Sequence, residues 1–358
     1  DYRTLDTRMT QMMTKPDMVG MGVAVIENGQ IAFVKGFGTT TVGRIDPVGV
    51  HTVFRWASLS KGVAATMVGE LAADGSLSLD DPVSRYSQTL KLPMGNEGRA
   101  TLDDLLSHRL GIAHNAYDDR LERGIDPRLI RTQLAGLRPF CDPGACHTYQ
   151  NVAFDAASEV VERITGQPYA QAIEHRLFMP LGMVDATVSR AGLMSAKSWA
   201  RPHVGRTTVE VKDNYYRVPA AGGVNSSIFD MARWMQAQMG EAQAVVPQRV
   251  LDLIHQPRIV TDRHNGIFNH AMGVSQYALG WRDYNYHGHR LIGHQGAVQG
   301  YRATILMDPA RRSGIAVLWN SQSARPVGVQ LEMLDMLYGL PRQDWMGLQV
   351  APPPAQED

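Results

Sequence analysis

The sequence predicts an α/β (α+β) protein: an antiparallel sheet flanked by helices and assembled from both ends of the chain, with an all-helical insertion between them. Three observations point there. Short segments rich in β-formers and separated by turn residues occur near the start and again after Leu279. Capped segments of helical period fill the middle. One stretch, Val63-Ala64-Ala65-Thr66-Met67-Val68-Gly69-Glu70-Leu71, is small and apolar almost all round, so its helix has to be buried. In these terms residues 1–75 and 270–345 form a discontinuous α/β domain, 76–269 a mainly helical domain, and 346–358 a disordered tail.

In chain order, Asp1 to Lys15 carries spaced Leu and Met and reads as an amphipathic helix. Met21 to Lys35 reads as a hairpin turning at Asn28-Gly29, because both central positions of a type I′ turn need positive φ. The central helix is expected to start near Ser58 and end at Asp74-Gly75, where glycine takes the left-handed cap. Thr101 with Asp104 is close to a capping box. Helices are expected over Asn151–Ile164, Tyr169–Phe178 and Ile228–Met239, the last after the glycine turn Ala221 to Ser227. Strands are expected at Leu279–Tyr284, Arg290–His294, Tyr301–Met307 and Ile315–Trp319, and a closing helix at Arg325–Leu340.

The chain has 358 residues, 44% hydrophobic and 20% charged, with a formal net charge of zero. That composition fits a globular core and gives no electrostatic footprint for nucleic acid. No apolar run reaches the length of a membrane span. Cys141 and Cys146 flank Asp142-Pro143-Gly144-Ala145, a turn able to bring them into a disulfide, with two free thiols as the alternative.

Three short motifs, far apart in sequence, make chemical sense as one site. In Ser58-Leu59-Ser60-Lys61 the serine and lysine stand at i and i+3, which share a helix face. A hydroxyl is a weak nucleophile until a base takes its proton, and a desolvated lysine amine can be that base. Ser60 is a rival hydroxyl but, adjacent to Lys61, faces away from it. In Tyr149-Gln150-Asn151 the phenol can relay a proton from Ser58 to a leaving group while Asn151 holds the amine or a substrate amide. His294-Gln295-Gly296 ends one strand before the next; Gly296 would let a substrate lie against strand backbone, and the N–H groups of Ala297 and Ser58 would form an oxyanion hole. His287 and His289 make a metal conceivable, but no acidic partner stands at ligand spacing, and no metal site is expected. Tyr215, Tyr216 and Trp281 are candidates to line a cleft.

With these motifs the chain resembles the class C β-lactamases and their relatives: low-molecular-mass penicillin-binding proteins, D-aminopeptidases and β-lactamase-like esterases. The resemblance runs from about Met21 to about Asn320. It includes Leu105 to Gly111, Pro143-Gly144 before Tyr149, Pro180-Leu181-Gly182-Met183, and Gly300-Tyr301-Arg302. It implies a β-lactamase/transpeptidase-like fold with the serine at a domain junction, an acyl-enzyme on Ser58, Lys61 and Tyr149 as the proton-transfer pair, and no cofactor. The lactamases of this class carry Lys-Thr-Gly as the third motif, where this chain has His294-Gln295-Gly296. Histidine is shorter and only partly charged near neutral pH. The resulting expectation is a serine hydrolase acting on a small-molecule or short-peptide amide or ester: a β-lactam, a D-residue peptide, or a carboxylic ester as for a carboxylesterase. The competing reading is a non-catalytic penicillin-binding sensor. A periplasmic or secreted location is expected; no nucleic-acid partner is, and the sequence leaves the oligomeric state open.

Overall fold

The computed structural model describes residues 2–262 and 266–349. Its strands are β1 (Gly20–Glu27), β2 (Gln30–Gly38), β3 (Val53–Arg55), β4 (His203–Val204), β5 (Thr207–Thr208), β6 (Asn225–Ser227), β7 (Ile259–Val260), β8 (Gln276–Tyr277), β9 (Arg282–Tyr286), β10 (His289–Val298), β11 (Tyr301–Asp308) and β12 (Ser313–Trp319). Eight of them form one sheet in the order β2-β1-β12-β11-β10-β9-β8-β7. Every pairing in it is antiparallel, including the β1–β12 seam that sets Met21 opposite Trp319. The hairpin between β1 and β2 turns at Asn28 and Gly29, both at positive φ, as the sequence predicts.

Alternation along the strands builds a core on each face. Val23, Val25, Ile315 and Val317 meet Leu5, Met9, Val329 and Met333 from the N-terminal helix Tyr2–Met12 and the closing helix Arg325–Tyr338. Ala24, Ile26, Ala316 and Leu318 face the other core, shared with Val63 and Met67 of the central helix Ser60–Ala73 and with Ile228 and Met231 of the helix Ile228–Gln238. Each large aliphatic side chain buried this way contributes about 1.5–3 kcal/mol relative to exposure. At the edge of the first core Arg8 bridges Glu332 at 2.5 Å and Asp344 at 2.7 Å, tying the two ends of the chain together.

Several expected boundaries move, each for a local reason. The chain rejoins the sheet before residue 270: the helix Ile228–Gln238 packs on β1, β2 and β12, and β7 is the edge strand. The strand expected at Leu279 begins at Arg282, because Gly280 takes a positive φ in a turn closed by Ala278 N–H on Trp281 O. The helix expected from Asn151 begins at Ala156. Tyr169–Ile173 is α-helical and Glu174–Phe178 a π-helical turn. The segment assigned to a tail from residue 346 is packed as far as Leu348, with Met346 and Leu348 in the core and the Met346 and Gly347 carbonyls bonded by Arg325. Ala351–Asp358 lies outside the described residues. The Thr101–Asp104 capping box forms, and Cys141 and Cys146 are bonded. Among the described residues no helix is long and apolar enough to cross a membrane.

Candidate active site

Ser58 sits in the single turn Ala57–Leu59 that opens the central helix. Ala57 holds a left-handed φ of 49°, a conformation that costs a non-glycine residue about 1–2 kcal/mol. The bend has a visible cause. β10 runs directly against it: a Cβ on Gly296 would lie 2.4 Å from Trp56 O and 3.0 Å from the Ser58 nitrogen. Gly296 is therefore required by the Ser58 turn itself. It is the backbone of Trp56 and Ser58, not a substrate, that leaves no room for a side chain there. This contact brings β10 against the Ser58 turn, and Ser58 and Ala297 line the same cleft.

Lys61 is fully buried, and its amine has three acceptors: Ser58 Oγ at 3.3 Å, Asn151 Oδ1 at 2.7 Å and Ala221 O at 3.2 Å. The amine also lies 4.6 Å from the centre of the Tyr149 ring. Asn151 in turn donates Nδ2–H to Asp118 Oδ2 at 2.7 Å. Burial pushes the Asp118 carboxyl up to about 6, against the opposing pull of Asn151 and Lys61. Ala221 is held from behind: Ala220 N–H bonds Asp155 Oδ1 at 2.9 Å, while Asp155 and Glu159 pair with Arg131 at 3.0 and 2.9 Å.

His294 departs most from expectation. It lies inside β10, which runs on to Val298, and is buried with its ring against Tyr277 and Tyr149. A chain of hydrogen bonds fixes its protons. Gln150 N–H donates to His108 Nδ1 (3.0 Å), which leaves His108 Nε2–H to donate to the Tyr277 hydroxyl (3.1 Å). The hydroxyl then donates to His294 Nε2 (2.9 Å), and His294 Nδ1–H faces Gln295 O (2.7 Å). Burial first, and then nearby cations, hold both imidazoles well below the usual histidine range: Lys61 acts on both, and Arg282 acts most strongly on His294. His294 is thus a neutral tie between β10 and the Tyr149 segment, not a cation facing substrate.

Ser58, Tyr149, Asn151, Gly296 and Ala297 line an open cleft of about 700 Å³, with Asp118, Glu122 and Tyr215 on one wall and Arg302 on another. Of the aromatic candidates, Tyr215 lines it; Tyr216 is buried against Arg55, and Trp281 is buried against Gly62. Ser60 Oγ accepts from Val224 N–H and serves structure. His287 lies in the β9–β10 turn, and His289 stacks on Tyr338. Sequence reading missed Asp118, Ala221, His108 and Tyr277 as partners of the site. Asp118 opens a short helix with a second acid beside it, which reads as an ordinary first-turn carboxylate. His108 carried one signal, its place in the Leu105–Gly111 stretch.

The fold has counterparts among known proteins. The solved octameric penicillin-binding protein homologue from Pyrococcus abyssi superposes with a TM-score of 0.83 at 24% identity, covering 95% of this chain and 78% of that one. A class C beta-lactamase gives 0.77 at 23%, covering 94% and 96%. In sequence the chain is 29% identical over 222 residues to the D-alanyl-D-alanine-carboxypeptidase/endopeptidase AmpH of Escherichia coli K12, covering 61% of this chain and 56% of that protein. It is 22% identical over 360 residues to the unguisins hydrolase ungD of Aspergillus violaceofuscus, covering 91% and 63%. The chain thus spans only about 56–63% of the length of these curated relatives. The fold is that of the β-lactamase/transpeptidase group, and since the family model described as Beta-lactamase matches residues 5–339, the chain belongs to the beta-lactamase family.

Proposed function

We propose that the protein is a serine hydrolase that cleaves a carboxylic amide or ester through an acyl-enzyme on Ser58. The carrying observation is the set of partners around Lys61. A neutral amine has two N–H donors and one lone pair. Lys61 donates to all three oxygens; once it gives up the proton aimed at Ser58 Oγ, its other N–H groups stay on Asn151 Oδ1 and Ala221 O and the freed lone pair faces the hydroxyl. Ser58 Oγ bonds the carbonyl carbon as its proton passes to Lys61, and the carbonyl electrons move onto oxygen between the Ser58 and Ala297 N–H groups. Collapse of that oxyanion breaks the bond to the leaving group, which takes the proton by way of Lys61 and Tyr149. Water then repeats the sequence on the ester, releasing the acid and restoring the serine.

The neutral His294 argues for peptide amides or esters over β-lactams, since the third motif offers no cation to a substrate carboxylate. The endopeptidase half of the E. coli relative's name fits the same choice, because an internal peptide amide has no free carboxylate beside it. The Cys141–Cys146 disulfide supports a periplasmic or extracellular setting. Side-by-side assays with a D-alanyl amide, a short-chain nitrophenyl ester and nitrocefin are expected to rank nitrocefin last. Ser58→Ala is expected to abolish both turnover and labelling by a fluorophosphonate; turnover surviving in that variant would refute the proposal. An adduct that forms on Ser58 and never clears would instead favour a binding protein.

A further inference from the structure

Resting on that reading, we propose that Asp118 is a positioning residue for the catalytic base: its carboxylate fixes the amide of Asn151, and through it the direction of the Lys61 lone pair. Asp118, Asn151, Lys61 and Ser58 form one line of contacts, 2.7, 2.7 and 3.3 Å long. The line crosses from the helix Asp118–Glu122 to the central helix.

The argument is one of donors and acceptors. The Asn151 side chain is a donor on one side and an acceptor on the other, and the two orientations differ only by a flip. An ionised carboxylate can only accept, so Asp118 holds Nδ2–H toward itself and leaves Oδ1 to Lys61. Lys61 must then spend an N–H on Asn151 and another on Ala221 O, and its lone pair is left for Ser58. A protonated Asp118 can donate, which permits the flip. Asn151 would then offer N–H to the amine, and the lone pair would turn from Ser58 to Asn151. The second Asp118 oxygen is buried with no hydrogen-bond partner among the described residues, so the carboxylate's bonding is spent on Asn151.

The groups facing Asp118 do not substitute for it. Lys61 lies across from it; Asp119 and Glu122 share its helix; Tyr215 and Tyr149 lie on the cleft wall. Asp119 pairs with Arg123 at 2.8 Å, and Glu122 accepts from the Tyr215 hydroxyl at 3.1 Å. Burial places the carboxyl near 6, so the required ionised form is held above that pH and lost below it.

The test is the rate of Ser58 labelling by a fluorophosphonate, read by intact mass from pH 5 to 9, in the wild type and in Asp118→Ala, Asp118→Asn and Ser58→Ala. Asp118→Ala should slow labelling on the order of 10- to 100-fold, by analogy with the loss when a carboxylate orienting a metal-ligating histidine is removed. Asp118→Asn offers an amide oxygen to Asn151 but does not titrate. It should keep more of the rate than the alanine variant and lose the component of the acid limb near pH 6. Labelling of Asp118→Ala within twofold of wild type, or an unchanged acid limb in Asp118→Asn, would overturn the positioning role while leaving the nucleophile intact. Labelling that persists in Ser58→Ala, or is absent from the wild type, would instead remove the reading on which it rests. Should the alanine variant fail to fold, the pH profile of the isosteric asparagine variant decides alone.

Discussion

His294 is held neutral by the bonds at both of its ring nitrogens, and that has a consequence for pH. An unfolded histidine takes up a proton near 6.5, whereas the folded one resists it. A depressed folded pKa contributes stability that is full above about 6.5 and is lost as pH falls toward the folded value. Buried Asp155 and Asp230, both raised to about 7, act in the opposite sense, so the total pH curve hides the effect. The difference between wild type and His294→Gln isolates it. The stability advantage of the wild type should shrink by up to about 1.4 kcal/mol per pH unit below 6.5. Urea unfolding of both proteins at pH 5, 6 and 7.5 reads this directly, and a pH-independent difference would contradict the neutral tie. At this scale the grouping of Ser58, Lys61, Tyr149 and Asn151 was legible, because residue types within two short motifs mark them as partners. Asp118 and Tyr277 were not, because each acquires its role from a partner far away in sequence.

Among the elements, the contact between β10 and the Ala57–Leu59 turn matters most to the chemistry. The side chain missing at Gly296 lets the strand close on the turn, beside the Ser58 and Ala297 N–H groups proposed as the oxyanion hole. Gly296→Ala should force them apart. Losing one oxyanion donor costs about 10²–10³-fold in rate, while overpacking costs only about 1–3 kcal/mol of stability. Ester turnover should therefore collapse in a variant whose urea midpoint falls modestly; near-normal turnover would show that the contact is not critical. The sequence flagged this glycine but assigned it to the substrate. Periodicity marks where a strand runs, not what lies above it. The same limit explains why β10 was ended at His294: a polar run of His, Gln and Gly looks like a turn until neighbouring β11 supplies its hydrogen bonds.

Across the whole molecule, the helical part contributes rigidity from a distance. Arg131, Asp155 and Glu159 lie far from Ser58 in sequence, yet Asp155 fixes Ala220, and Ala221 offers its carbonyl to Lys61. Arg131→Ala would leave Asp155 buried, and Glu159 half-buried, without their cation, which should destabilise the fold by about 3–5 kcal/mol. A loss under 1 kcal/mol by urea unfolding would show that these charges are accommodated in some other way. The general architecture could be read from the order of strand-like and helix-like stretches. The point at which the chain rejoins the sheet could not, because β7 and β8 are two-residue strands with no periodicity of their own.

The β1–β12 seam also bears on the order in which the protein can be assembled. Its two strands lie far apart along the chain, and Ser313–Trp319 pairs on both sides, with β1 and with β11. Until that last strand leaves the ribosome, Met21 to Ile26 has an apolar edge and nothing to close it, a state prone to sticking to other chains. Bringing the two together closes a loop from Met21 to Trp319, which makes their meeting a slow, late event. A growing chain of this protein is therefore most vulnerable before Ser313–Trp319 has been made.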